Sequence, residues 1–424
     1  MSSLFRSLNL ACVLGMILIS VLAGRQQALA QSDEVDFSAR YSQIVQIAVA
    51  STGAGAKSSF GSGFQVSADG LILTNYHVIS SYIDSPDTHN IQYSNNEGVK
   101  GSLTLIDFDV VADLALLKRS NPSGDYFTFS SKELPKGERV YALGNPGDWG
   151  VIMIPGPNNG AVAHSFEERV LFSGSLNSGM SGGPSLNKEG QVVGINVATA
   201  GSQLSFLIPA KKAINLVAAN RVLDINDYQS EIASQLKRWQ SIRVNELIEK
   251  PWSDEEFANR NLVGKMRYDF QCWGDTNEDN EDRKIEIVKR VCDAHDNVYI
   301  NNGLRVGQIR YSFKQYRSLK LNRFQFADAR YGHLSADNYS NHKYSTNYQC
   351  KTDFINRDQQ ASEKTYYKVT TCVRAYKQFN GLYDSIILVE NHQNLDAFSA
   401  YLSLSAVDKD QVKAMNRKFI GEVI

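Results

Sequence analysis

The chain has 424 residues, enough for two or three domains with a sizeable core, and its 42% hydrophobic content is that of an ordinary globular protein. Its formal net charge is −1, with Lys and Arg spread along the chain. No basic block or aromatic-spaced basic stripe points to nucleic acid.

Residues 1–30 read as a signal peptide. Arg6 gives the positive start, Leu10 to Ala23 is an apolar run short for a membrane span, and Ala28-Leu29-Ala30 is a small-x-small cleavage site. An uncleaved anchor is the other reading, against which Arg25, Gln26 and Gln27 speak. No later stretch is apolar enough to span a bilayer, so the mature chain is expected to be exported, in a bacterial periplasm or secreted.

From about Ser38 to Ala213 short apolar runs are broken by Gly, Asn and Asp: Ile44 to Val49, Leu71 to Thr74, Leu114 to Leu117, Arg139 to Leu143 and Val192 to Val197. This is strand spacing suited to barrels or a sandwich. Pro155 to Asn159, and on to Glu168, reads as a polar loop, either a plain surface loop or, by the resemblance given below, a specificity or regulatory loop shaping a cleft. The central motif is Asn177-Ser178-Gly179-Met180-Ser181-Gly182-Gly183-Pro184. Glycines let the backbone of a tight turn present an amide beside the Ser181 hydroxyl, as an activated nucleophile with an anion-stabilising donor requires; an ordinary Gly-rich turn is the bland alternative. Three histidines precede it. His77 follows the strand Leu71 to Thr74, whereas His89 and His164 lie in loop-like surroundings. His77 is therefore the candidate base. Among the acids, Asp113 opens the buried-looking strand Leu114 to Leu117 and is the candidate orienting carboxylate, while Asp107 and Asp109 read as solvated turn residues.

Gly61-Ser62-Gly63-Phe64, Thr74-Asn75-Tyr76-His77-Val78, Ala112-Asp113-Leu114-Ala115-Leu116-Leu117-Lys118, Gly144-Asn145-Pro146, Ser178 to Pro184 and Phe206-Leu207-Ile208-Pro209 together resemble the trypsin-like serine peptidases, nearest the HtrA (Deg-type) bacterial branch. The resemblance implies two packed six-stranded β-barrels with a His77–Asp113–Ser181 triad between them. It also implies an oxyanion hole from the Gly179 and Ser181 amides, and a specificity pocket near Ser175, Val197 and Thr199. No carboxylate stands at those pocket positions, which favours a small or medium apolar side chain. Two departures stand out: Met180 replaces the usual Asn or Asp before the nucleophile, and no PDZ-like segment follows.

Beyond the protease, Ala210 to Ala219 is expected to be a closing helix. A helical stripe of Tyr228, Ile232, Leu236, Trp239 and Ile242 or Arg243 with Leu247 ends before Pro251. It reads either as a connector packed on the protease or as a homo-oligomer surface. Ser253-Asp254-Glu255-Glu256 has the spacing of a capping box, predicting a short helix.

The last third looks duplicated. Phe270-Gln271-Cys272 with Asp275 matches Tyr348-Gln349-Cys350 with Asp353, and each half carries a second cysteine, an Asn-Gly-Leu turn (Asn302-Gly303-Leu304, Asn380-Gly381-Leu382) and a strand-like run. The four mature-chain cysteines predict disulfides. They allow three pairings, among which the sequence alone does not choose and the duplication favours one bridge per half, Cys272–Cys292 and Cys350–Cys372. A zinc site is the alternative, without a CxxC pair to support it. Asp275 to Glu286 has oxygen ligands at calcium-loop spacing, but Asn280 stands where the sharp-turn glycine belongs, so a solvated acidic hairpin is expected.

The expected organisation is mostly β: signal peptide 1–30, a double-barrel trypsin-like protease domain 31–214, a helical connector 215–265, and a duplicated α+β region with cysteine modules 266–345 and 346–424. The expected function is an exported serine endopeptidase acting on protein or peptide substrates, with no metal or organic cofactor. The rival reading is a protease-fold protein of weak or no activity that acts as a binding or chaperone-like module.

Overall fold

The computed structural model describes residues 35–53, 57–122, 124–146, 149–201, 203–294, 296–331, 343–356 and 365–424. The expected signal peptide lies outside the described residues.

Six strands close the first barrel: β1 (Ile44–Ser51), β2 (Lys57–Gln65), β3 (Leu71–Thr74), β4 (His89–Asn95), β5 (Lys100–Asp109) and β6 (Leu114–Arg119), in ring order β1-β2-β3-β6-β5-β4. Between β3 and β4 runs the helix α1 (Tyr76–Asp84). The second barrel has β7 (Arg139–Gly144), β8 (Ile152–Ala161), β9 (Val170–Phe172), β10 (Pro184–Leu186), β11 (Val192–Gly201) and β12 (Leu204–Pro209), and repeats the same ring order. Closure leaves neither barrel with an exposed edge. Alternate residues fill the first interior, among them Val45, Ile47, Val49, Leu103, Leu105, Ala115 and Leu117. Val140, Ala142, Phe172, Leu176, Met180 and Leu207 cluster inside the second.

The stretch expected as a loop from Pro155 is strand β8. Its Arg139↔Pro157 and Tyr141↔Pro155 pairings are compatible with proline because Asn158 N donates to Glu138 O at 2.8 Å. That places the even positions towards β7 and turns the two missing donors the other way. Asp107, expected to be solvated, is fully buried and takes two bonds from Arg221, at 2.8 and 3.0 Å. The partner is 114 residues away, which no local pattern reveals. His89 begins β4 instead of lying in a loop.

Two helices follow, α2 (Ala210–Ala219) and α3 (Tyr228–Glu249). The α3 stripe is used inside the chain. Tyr228, Ile232, Leu236 and Trp239 join the first barrel's core, whereas Val244 and Leu247 join the C-terminal core. Arg243, not Ile242, completes the stripe: Ile242 is 65% exposed, and Arg243 is buried with its guanidinium over the Trp239 ring at 4.1 Å. Burial pushes the Arg243 pKa down to about 10, against the raising field of Asp296. The helix stops at Glu249 because Lys250, preceding Pro251, is extended.

The predicted helix at Ser253 is a strand. β13 (Asp254–Phe257) and β14 (Arg260–Val263) form a hairpin around Ala258 and Asn259, both at positive φ (48° and 63°). Two left-handed residues make the turn that matches strand twist. Ser253 does not cap; its Oγ bridges to Lys265, accepting from N at 2.9 Å and donating to O at 3.1 Å.

The C-terminal region consists of β15 (Phe270–Thr276), β16 (Ile285–Ala294), β17 (Val298–Asn301), β18 (Leu304–Val306), β19 (Ile309–Ser318), α4 (Arg323–Tyr331), β20 (Gln349–Asn356), β21 (Tyr366–Ala375), β22 (Tyr383–Gln393), β23 (Asp396–Val407) and α5 (Lys409–Val423). Both cysteine halves share one seven-stranded antiparallel sheet, ordered β15-β16-β19-β23-β22-β21-β20 and joined by β19–β23 pairing from Ile309↔Leu404 to Arg317↔Asp396. Each outer hairpin carries a disulfide between directly opposed residues, Cys272–Cys292 and Cys350–Cys372. α5, opened by an Asp408–Gln411 capping box, packs Met415 and Phe419 into the sheet's core. The separate hairpin β17–β18 turns back onto the first barrel.

Among the described residues no cluster of His, Cys, Asp and Glu could hold a metal ion, and no helix is long and apolar enough to cross a membrane.

Candidate active site

The turn after β3 leads directly into α1, so His77 sits in the first helical turn rather than at a strand end. The β5–β6 turn brings Asp113 beside it. Asp113 has φ +61°, a left-handed conformation that Asp and Asn tolerate better than most residues. Its Oδ2 lies 2.8 Å from His77 Nδ1, and its Oδ1 accepts the His77 backbone N–H at 2.9 Å. One carboxylate therefore fixes both the ring and the backbone of the histidine. Asn75 Nδ2 donates to Asp113 O at 2.8 Å, tying the two turns together. From α3, Gln235 clamps the same turn by accepting from Val110 N and donating to Phe108 O, both at 2.8 Å.

Burial pushes the His77 pKa down, but the charge and hydrogen bond of Asp113 outweigh it and hold the pKa above its ordinary value; Arg305 opposes that rise. The His77 side chain keeps 30% exposure, so it remains open to the cleft.

Ser181 comes from the second barrel, on the turn between β9 and β10. Gly179 (φ +89°) and Gly182 (φ +85°) make that turn possible. A Cβ on Gly182 would lie 2.2 Å from Ser62 O, and one on Gly179 within 2.9 Å of Pro146 Cα. Ser62 locks the turn to the first barrel. Its Oγ donates to Gly179 O at 2.7 Å and accepts from Asn145 N at 2.8 Å, while Ser62 N donates to Ser181 O at 2.8 Å. Met180 is fully buried in the second barrel's core, so apolar packing anchors the residue before the serine. Among the described residues the amides of Gly179 and Ser181 donate to no protein acceptor, which leaves two N–H groups beside the hydroxyl. The Ser181 Oγ donates to Val197 O at 3.0 Å and not to His77.

His89 and His164 are elsewhere: His89 Nδ1 lies 3.1 Å from Ser85 O, and His164 Nδ1 lies 3.0 Å from Tyr268 O. Of the expected pocket residues, Val197 lines the cleft beside His77. Ser175 is exposed and its Oγ accepts from Gln203 N at 3.2 Å. Thr199 lies on β11, and its side chain is outside the described residues.

Sequence reasoning missed the contribution of the C-terminal region. The ring of Tyr299, on β17, stands edge-on to the His77 ring at 6.1 Å. Asp296 holds the turn after β8 by accepting from Ser165 Oγ, Phe166 N and Glu167 N at 2.7–3.1 Å. Nothing in the local pattern around Asp296 or Tyr299 signals a partner more than 100 residues away. The Ser62 contact had a signal, the Gly61-Ser62-Gly63 motif, whose role appears only once both barrels are in place.

Residues 61–195 match the family model of the trypsin-like peptidase domain. The chain carries a trypsin-like serine protease domain of the HtrA type. It is 36% identical over 171 residues to a probable periplasmic serine endoprotease, DegP-like, of Chlamydia pneumoniae, a match covering 39% of this chain and 33% of that protein. It is 31% identical over 197 residues to serine protease HTRA1 of Xenopus laevis, covering 44% of this chain and 41% of that one. Among solved structures, a serine endoprotease from Yersinia pestis aligns at 26% identity and TM-score 0.37, covering 42% of this chain and 63% of that one. The chain thus spans a third to two-fifths of the length of these curated relatives, and the family model ends at residue 195.

Proposed function

We propose that the protein is an exported serine endopeptidase that cleaves protein substrates through an acyl-enzyme. The observation that carries this reading is the pair of hydrogen bonds joining Asp113 to His77, at Nδ1 and backbone N, together with the Ser181 turn, whose Gly179 and Ser181 amides have no protein acceptor among the described residues. Asp113 holds the neutral imidazole with its proton on Nδ1, leaving Nε2 to accept one. Ser181 Oγ, freed from Val197 O by rotation about χ1, gives its proton to His77 and attacks the scissile carbonyl. The C–O bond forms as the carbonyl π pair moves to oxygen, and the Gly179 and Ser181 amides hold that oxyanion. The tetrahedral species collapses, the imidazolium protonates the leaving amine, and water repeats the sequence to release the acid.

The bond from Ser181 Oγ to Val197 O favours a second reading in one respect: the hydroxyl rests in a non-attacking rotamer. Catalytic hydrogen bonds are often unmade in a ligand-free site, so the rotamer alone does not make the protein inert. Intact mass after treatment with a fluorophosphonate distinguishes the two. One adduct on the wild type and none on Ser181→Ala is the expected result. An unlabelled wild type, with unfolded protein added as well as without, leaves the binding or chaperone-like reading in its place.

A further inference from the structure

Three parts of the chain wall a cleft of about 630 Å³ beside the proposed triad: His77 and Asp113 from the first barrel, Arg169 and Val197 from the second, Tyr299 and Arg305 from the β17–β18 hairpin. The hairpin is firmly seated. Tyr76 Oη donates to Ile300 O at 3.1 Å, Asn301 Nδ2 to Asp84 Oδ1 at 3.3 Å, and Val298, Ile300, Leu304 and Val306 share the core of Val78 and Ile79. Arg305 is thus carried by a fixed element, and its charge reaches His77, whose pKa it lowers.

The charges in this cleft do not balance. Among the described residues its one lining carboxylate, Asp113, is bonded to His77. Arg169 donates to Ala112 O at 3.4 Å; Arg305 donates to Asn297 Oδ1 at 3.3 Å and lies 5.2 Å from the centre of the Tyr299 ring. Neither guanidinium has a carboxylate partner among the described residues. A guanidinium is built for two parallel bonds to a carboxylate, and a concave, partly dry setting strengthens them.

We propose that this cleft is a specificity subsite for an acidic side chain of the substrate polypeptide, built jointly by Arg169 of the protease domain and Arg305 of the C-terminal region. The inference rests on the peptidase reading and adds to it the chemistry that selects a sequence. It also gives the C-terminal region a role: its hairpin completes the substrate cleft.

The test uses the full mature chain and peptidyl diphenyl phosphonates, whose reaction with a serine nucleophile is read as intact mass against time. In an Ala-rich probe ending in a Val phosphonate, Glu, Gln or Lys is placed in turn at each of the three preceding positions. At one position Glu reacts roughly tenfold faster than Gln, Lys reacts slowest, and the gap narrows with salt. Arg305→Glu removes or reverses the preference, and Arg305→Gln and Arg169→Gln each reduce it. Arg305 is exposed, so its two variants are expected to melt as the wild type does, and circular dichroism checks the fold of all three. If the wild type reacts with a small fluorophosphonate but the three probes do not differ, including no reaction with any, the subsite is wrong and the peptidase stands. The same holds if Arg305→Glu keeps the Glu preference. If the fluorophosphonate itself fails, both fall together.

Discussion

His77, on the first barrel, is held by charge, whereas Ser181, on the second, is held by shape with help from Ser62 of the first. Around His77 the fixing bonds are to a carboxylate, Asp113, whose turn is clamped in its own right by Asn75 and by Gln235 from α3. Among the described residues no ionisable side chain bonds to the Ser181 turn. Two positive-φ glycines, the Ser62 hydroxyl and the buried Met180 set the backbone. As the proposed base, His77 would carry an extra proton transiently in each turnover, and a fixed carboxylate beside it stabilises that cation. The turn of Ser181, the proposed nucleophile, would have to present fixed dipoles without reorganising, which packing and backbone geometry do better than a mobile ion pair. The two halves should therefore fail differently when their supports are removed.

Asp113→Asn is the larger break. The backbone at φ +61° suits Asn, and its side-chain oxygen can still accept from His77 N. What is lost is the acceptor for Nδ1–H, and with it the tautomer that leaves Nε2 free. The expected outcome is a fall in kcat/KM of about 10⁴-fold with a melting temperature close to the wild type's. A variant that keeps most of its activity would show that His77 is oriented by something other than this carboxylate.

Met180→Ala inverts the pattern. Deleting a fully buried side chain from a six-residue cluster in the second barrel costs about 3 kcal/mol of stability. Denaturant melts of the Ser181→Ala background, with and without the second change, measure this without self-digestion. The fluorophosphonate rate of the folded Met180→Ala fraction is expected to fall less than that of Asp113→Asn, because Ser62 and the glycines still hold the turn. A stability change below about 1 kcal/mol would mean that the turn does not depend on this anchor.

What could be read from the sequence follows the range of the interactions. Both barrels are built from hairpins and short repeats of apolar alternation, and their strand segments were visible at Leu71 to Thr74 and Leu114 to Leu117 almost to the residue. The motifs singled out for chemistry also proved to be neighbours: His77 with Asp113, and Ser181 beside the strand carrying Ser62. For the disulfides the sequence left three pairings open and the duplication only favoured one; in the structure each joins cysteines 20 or 22 positions apart across one hairpin. By contrast, the joining of the two cysteine halves depends on pairing Ile309 with Leu404, and the cleft wall depends on Tyr299 reaching His77. These are contacts between distant segments with unremarkable local patterns. At Ser253 the local pattern was misleading, since a capping-box spacing was overridden by burial of Phe257 and Leu262 in a hairpin.

The smallest effect separates charge from shape within the first barrel itself. His77 must be neutral to take the serine proton, so kcat/KM is expected to rise with pH through its pKa, which lies above the ordinary 6.5. Arg305 destabilises the imidazolium. Replacing it by Gln removes that opposition, raises the pKa further and moves the acid limb to higher pH, measured with a neutral substrate at low ionic strength. Asp113→Asn acts with the opposite sign: the raising charge is gone, burial remains, and the limb of the residual activity moves to lower pH. Tyr299→Phe keeps the edge-on ring and both charges, and is expected to leave the limb where it is. If Arg305→Gln also left it unmoved while Asp113→Asn shifted it, the C-terminal hairpin would contribute no measurable field at His77.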